Sequence, residues 1–174
     1  MIRNLGSVLT EDQTTKMIQF RHPTLVEYLR HRCIKPSADN SRRIYLDIVE
    51  AHGRAASWCL KCLKSLLKFN ICEIESSFYL NSQMPDLGNR ISECIPLRLQ
   101  YASSHWLFHL AEVDGHQRHA LQNELQHITR SPYALYWIEV LSVTGRMLRA
   151  IAGLRAVSRH AGVSGVFHDF SWLT

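Results

Sequence analysis

The spacing of apolar residues along this chain changes near residue 20. Before it, Ser7-Val8-Leu9-Thr10 and Lys16-Met17-Ile18-Gln19-Phe20 are short strand-like runs on either side of the polar stretch 11–15. Two such runs around a polar turn predict a small β-hairpin. After it, apolar residues recur at steps of three and four, the period of helices that bury one face.

Pro23 fits the first position of a helix, where its missing N–H costs nothing. Leu25, Val26, Tyr28 and Leu29 give that helix its apolar face. Residues 36–41 read as a loop ending in N-cap residues. The clearest helix is predicted over 42–68. Its inward positions are Tyr45, Ile48, Val49, Ala55, Ala56, Cys59, Leu60, Leu63, Leu66 and Leu67, with His52 as a polar interruption. Gly53, mid-helix at a cost of about 1 kcal/mol against Ala, predicts a close helix crossing.

Residues 70–89 read as loop, with 82–88 the most turn-rich part. A short helix is expected over 90–95, and another from Leu97, behind Pro96, to about Val113. The second is apolar over most of its circumference and suits a helix packed on two sides. Asp114-Gly115 turns the chain into a polar helix over 116–128, with Leu121 and Leu125 inward. Ser131-Pro132 reads as an N-cap followed by Pro at the first helical position. The near-continuous apolar run 133–143 should be central. Gly145 ends it, and 146–159 forms the last helix, with Met147, Leu148, Ile151, Leu154 and Val157 inward. The fold class is therefore mainly α, an array of about six to seven helices with short loops behind a hairpin. No repeat of solenoid period is present.

Composition supports a folded chain. Of 174 residues, 46% are hydrophobic and 20% charged, a globular balance in a length suited to one domain. The N-terminus lacks the apolar core of a signal peptide, no run reaches the roughly 20 apolar residues of a membrane helix, and the five cysteines are odd in number. A cytoplasmic, reducing location is the expectation.

Charge alternates along the chain. Residues 16–68 hold 11 Lys/Arg against 4 Asp/Glu, residues 69–129 hold 3 against 7, and residues 130–174 hold 5 against 2. Helical layers that meet one another or a partner suit this pattern better than a nucleic-acid binder, which needs a sustained basic stripe. The residues that would form such a stripe are Arg42, Arg43, Arg54, Lys61, Lys64 and Lys68.

Catalytic signatures are missing from the sequence. No glycine is followed by Lys, so there is no P-loop, and neither G-x-S-x-G nor H-E-x-x-H occurs. Cys59 and Cys62 share a helix face and form one candidate metal or redox pair, but no second ligand pair at finger spacing follows. His105 and His109 are another i, i+4 pair, within a cluster that adds His116, His119 and His127. In both cases ordinary core or core-edge packing is the simpler reading. His22, just before a helix start, is placed to meet an anion or simply to cap the helix.

At these residues a family resemblance emerges. Phe20-Arg21-His22-Pro23-Thr24-Leu25-Val26-Glu27-Tyr28-Leu29 resembles the "(L/F)-x-H-P-S-F-x-D-F-L" signature of fungal NACHT-domain proteins, often fused to WD40 repeats. Five further stretches are similar in the same order. Ile2 to Leu9 resembles the strand before the wing of the winged helix. Glu50-Ala51-His52 with Cys59-Leu60 resembles "E-A-H-x-x-L-A-x-x-C-L". Leu67-Lys68-Phe69-Asn70-Ile71-Cys72 resembles "L-(K/R)-x-N-I-C". Leu99-Gln100-Tyr101-Ala102 with Trp106 and His109-Leu110 resembles "L-Q-Y-A-C-x-Y-W-x-x-H-L". Leu135 to Ser142 is similar to "L-x-W-L-E-A-L-S".

The resemblance implies a partial winged-helix subdomain over 1–35, which would contain the hairpin, a helical linker domain over 36–160 and a divergent tail over 161–174. It implies a non-catalytic segment of a signal-transducing NTPase, joining a nucleotide-binding core to sensor repeats. His22 would be the nucleotide-sensing residue, touching ADP bound by a NACHT domain. Thr24 stands where the pattern has Ser, and Leu25 where it has Phe. Walker motifs and WD repeats do not occur in these 174 residues, so ADP or ATP would enter only with a NACHT domain. The expected partners are such domains or other proteins, with no membrane and no catalytic residue.

Overall fold

A computed structural model describes residues 9–11, 18–20, 23, 24, 27, 47–76, 78, 80–130 and 132–160. The chain divides into two compact units, 1–48 and 49–174. In the first, β1 (Leu9–Glu11) pairs antiparallel with β2 (Ile18–Phe20), Leu9 opposite Phe20 and Glu11 opposite Ile18. This is the hairpin that the two short runs predict. Pro23, Thr24 and Glu27 are helical. His22, Leu25, Val26, Tyr28, Leu29, Arg42, Arg43 and Tyr45 lie outside the described residues, as does the tail 161–174.

Among the described residues seven further helices follow. They are α1 (Ile48–Leu66), α2 (Leu87–Cys94), α3 (Leu97–Ala111), α4 (Gly115–Ala120), α5 (Gln122–Thr129), α6 (Tyr133–Val143) and α7 (Met147–His160). A 3-10 turn covers Asn81–Gln83. The protein is mainly α-helical, and no helix among the described residues is long and apolar enough to cross a membrane. Helix α3 packs chiefly on α7 and also on α6, which in turn meets α5 and α7.

The α1 stripe Ala56, Cys59, Leu60 and Leu63 is buried at helical spacing, with Leu67 just beyond the helix end, while Arg54, Lys61 and Lys64 face solvent. Ile48 and Val49, expected inward, are exposed. A Cβ built on Gly53 would lie 2.4 Å from Gln117 Oε1, so the close crossing expected there is with α4.

Three boundaries differ from the sequence reading. Helix α2 begins at Leu87, so Gly88 is helical and not loop. The polar helix over 116–128 is broken at Leu121, whose φ and ψ of −90° and 0° depart from α geometry. Its N–H reaches both Gln117 O and Arg118 O, a tightened turn that still leaves Leu121 and Leu125 buried. Helix α6 starts at Tyr133 with Pro132 as the flanking residue, while Ser131 lies outside the described residues.

On α7 the buried stripe is Ala150, Gly153 and Val157, with Met147 and Leu154 half-buried. Leu148 is 82% exposed and Ile151 38%, against the expectation that both point inward. The cause is close approach. A Cβ on Gly153 would stand 2.8 Å from Leu107 Cβ, so only small residues fit where α7 meets α3.

The stretch 70–76 is a tied turn. Asn70 adopts φ +47°, a left-handed conformation that Asn tolerates better than most residues. Its Oδ1 accepts from the Ile74 N–H at 2.7 Å and its Nδ2 donates to Ile74 O at 2.9 Å. Arg90 on α2 donates to Glu73 O at 2.8 Å.

Candidate functional site

The i, i+4, i+8 spacing of Tyr101, His105 and His109 puts all three on one face of α3. Helix α1 supplies His52 to that face and α7 supplies Arg149. His52 Nδ1 and His109 Nδ1 are 3.0 Å apart, and His109 Nε2 is 2.8 Å from the Tyr101 hydroxyl. The Tyr101 ring stacks on His105, with centroids 4.4 Å apart and planes 8° from parallel. Arg149 Nη2 donates to His105 Nε2 at 2.7 Å, and its guanidinium sits 5.3 Å from the Phe108 ring centroid.

The bonding fixes protonation. A guanidinium has only donors, so His105 Nε2 accepts and carries no proton. Nδ1 therefore bears it, 3.1 Å from Tyr101 O, the acceptor. Burial is the main cause that holds the His105 pKa below the ordinary value; the bond to Tyr101 O opposes it, and Arg149 and Arg146 add to the depression. Burial likewise lowers His109, with His52 and His105 contributing. Tyr101 is raised by burial and stays a neutral phenol. The result is a hydrogen-bonded chain tying three helices together, with the Arg149 guanidinium at its α7 end.

The His105/His109 pair is thus brought together with partners the sequence reading did not assign, namely His52, Tyr101 and Arg149. Two signals were present. His52 interrupts an apolar stripe, and Tyr101 shares the four-residue spacing of the two histidines. Arg149 carried none. The remaining histidines sit elsewhere: His127 packs on Tyr133 with centroids 4.3 Å apart, and His116 and His119 are exposed.

Cys59 and Cys62 are buried core residues of α1. Burial pushes the Cys59 thiol up to about 12, helped by Cys62, and burial also raises Cys62. Both are protonated thiols at neutral pH. Among the described residues no group of three or more His, Cys, Asp or Glu is arranged to hold a metal ion. Arg54, Lys61, Lys64 and Lys68 are exposed along and just beyond α1.

A second polar constellation lies at α6. The Glu139 carboxylate accepts from Asn70 N–H at 3.1 Å and from Ile71 N–H at 3.0 Å, one bond to each oxygen. It anchors the 70–76 turn to the helix. Beside it, Trp137 Nε1 donates to Ser103 O at 2.8 Å, and its ring meets Trp106 edge-on at 5.4 Å.

No known family model matches the chain, and neither a curated protein nor a solved structure matches it significantly.

Proposed function

We propose that this chain is a non-catalytic helical regulatory segment of a fungal NACHT-type signalling NTPase, linking a nucleotide-binding core to sensor repeats. The observation that supports the reading is the way separately matched stretches meet. His52 of the "E-A-H" stretch contacts His109 of the "W-x-x-H-L" stretch. Asn70 and Ile71 of the "N-I-C" stretch are held by Glu139 of the "W-L-E-A-L-S" stretch. Trp106 and Trp137, again from two stretches, pack together. Residues that carry a resemblance for structural reasons should touch, and these do. The hairpin would be what remains of a winged helix, and His22 its nucleotide-sensing residue.

The test is the coding sequence upstream of Met1 and the protein it encodes. An in-frame glycine-rich P-loop upstream supports the reading. In that longer protein, His22→Ala should lower the ADP retained through purification several-fold; unchanged retention removes His22 as sensor. If neither the gene nor its neighbours encode a NACHT domain, the reading falls. The chain alone should turn over no ATP above a contaminant control.

A further inference from the structure

We infer that the corner between α3 and α7 is a binding site for a tetrahedral oxyanion, gripped by Arg149 and Arg146 and by a proton that His105 takes up as the anion arrives. This stands apart from the NACHT reading and does not depend on it.

Among the described residues the corner gathers positive charge without a counter-charge. Arg149 spends one N–H on the neutral imidazole of His105, and Phe108 steadies its cation without using a donor. Among the described residues Arg146 reaches only neutral acceptors, Ser104 Oγ at 3.5 Å and Gln100 Oε1 at 3.3 Å, both at the long limit of a hydrogen bond. Among the described residues no carboxylate accepts from either guanidinium. Among the described residues the other titratable groups facing the corner are His52 and Cys59 from α1 and Tyr101 and His109 from α3; none of these carries negative charge at neutral pH. Both guanidiniums lie close enough to His105 to oppose its protonation.

Those features ask for an anion with several acceptor oxygens. Replacing long bonds to neutral groups by bonds to an oxyanion pairs each guanidinium with an opposite charge and suits its planar fork of donors. The anion also changes the task of His105. Its Nε2 turns from accepting an Arg149 N–H to donating its own, while Nδ1–H keeps its bond to Tyr101 O. Binding is therefore coupled to the uptake of one proton, and affinity rises as pH falls. A merely basic surface patch lacks this coupling.

The experiment uses sulfate, which stays a dianion across the working range, so any pH dependence belongs to the protein. Sodium sulfate is titrated into the chain at constant ionic strength while the His105 ring resonance, assigned by loss in His105→Gln, is followed by NMR. The expected result is saturable binding, about threefold or more tighter near pH 5.5 than near pH 7.5, and weakened about tenfold in Arg149→Ala. His105→Gln should bind sulfate with that pH dependence removed. Should Arg149→Ala not fold, Arg149→Lys keeps the charge but loses the planar fork, and binding should still weaken several-fold. A response to sulfate no greater than to acetate or chloride overturns the site. Unchanged pH dependence in His105→Gln overturns the proton uptake.

Discussion

Helix α3 packs by two different chemistries. On one face Leu99, Ala102, Trp106 and Leu110 are buried, and Trp106 closes on Trp137 of α6. On another face Tyr101, His105 and His109 join α1 and α7 through hydrogen bonds and ring stacking, the histidines half-buried and Tyr101 and Arg149 exposed. The first face is held by volume, so it responds to lost atoms and is indifferent to pH. The second is held by matched donors and acceptors, so it tolerates a change of size and responds to protons. One helix thus carries a rigid contact and a titratable one, five residues or fewer apart.

The largest effect separates the two. Trp137→Ala removes a buried aromatic side chain and the donor to Ser103 O, and should cost about 3–5 kcal/mol in urea unfolding. Trp137→Phe keeps most of the volume and should cost less. The polar-face variants His105→Gln and Tyr101→Phe should each stay within about 1 kcal/mol of the natural chain. If they matched Trp137→Ala, the distinction between the faces would collapse.

Next comes the anchor of the 70–76 turn. Glu139→Ala leaves the N–H groups of Asn70 and Ile71 without their acceptor and should cost about 2 kcal/mol. Glu139→Gln retains one carbonyl acceptor and should fall between. Hydrogen exchange at Asn70 and Ile71 provides the local readout, with faster exchange in both variants. Equal stability of all three proteins would show that the carboxylate anchors nothing.

Gly153→Ala sharpens the packing side. Helix propensity alone makes it favourable by about 1 kcal/mol. The contact with Leu107 Cβ opposes this, and overpacking should win by about 1–2 kcal/mol net. A stabilised variant would mean that α3 and α7 can move apart freely.

How much of this was readable from sequence follows from which forces are local. The hairpin, the extent of α6 and the start of α3 rest on short-range signals, namely alternation around a polar turn, an apolar run and Pro96. The break at Leu121 and the inward face of α7 do not. Leu148 and Ile151 are more hydrophobic than Ala150 and Gly153, so hydropathy points the helix the wrong way round. Only the proximity of Leu107, distant in sequence, reveals that small residues must face inward. The histidine site was half legible. His105 and His109 share a face by spacing alone, but the partners that fix their protonation come from α1 and α7. No periodicity within α3 could name them.

The smallest effect is the pH dependence of the polar face. His105 and His109 are both held below the ordinary histidine pKa, chiefly by burial. In the unfolded chain they titrate near the ordinary value of about 6.5. Above that value both are neutral in either state, and the network contributes in full. As pH falls through it, the unfolded chain binds protons that the folded chain resists, so stability declines until the lowered folded values are passed. The natural chain should therefore lose melting temperature as pH falls below about 6.5. The double variant His105→Gln with His109→Gln should lose less over the same interval, since Gln offers a neutral acceptor to Arg149 at every pH. Parallel curves for the two proteins would place the proton-sensitive contact somewhere other than this face of α3.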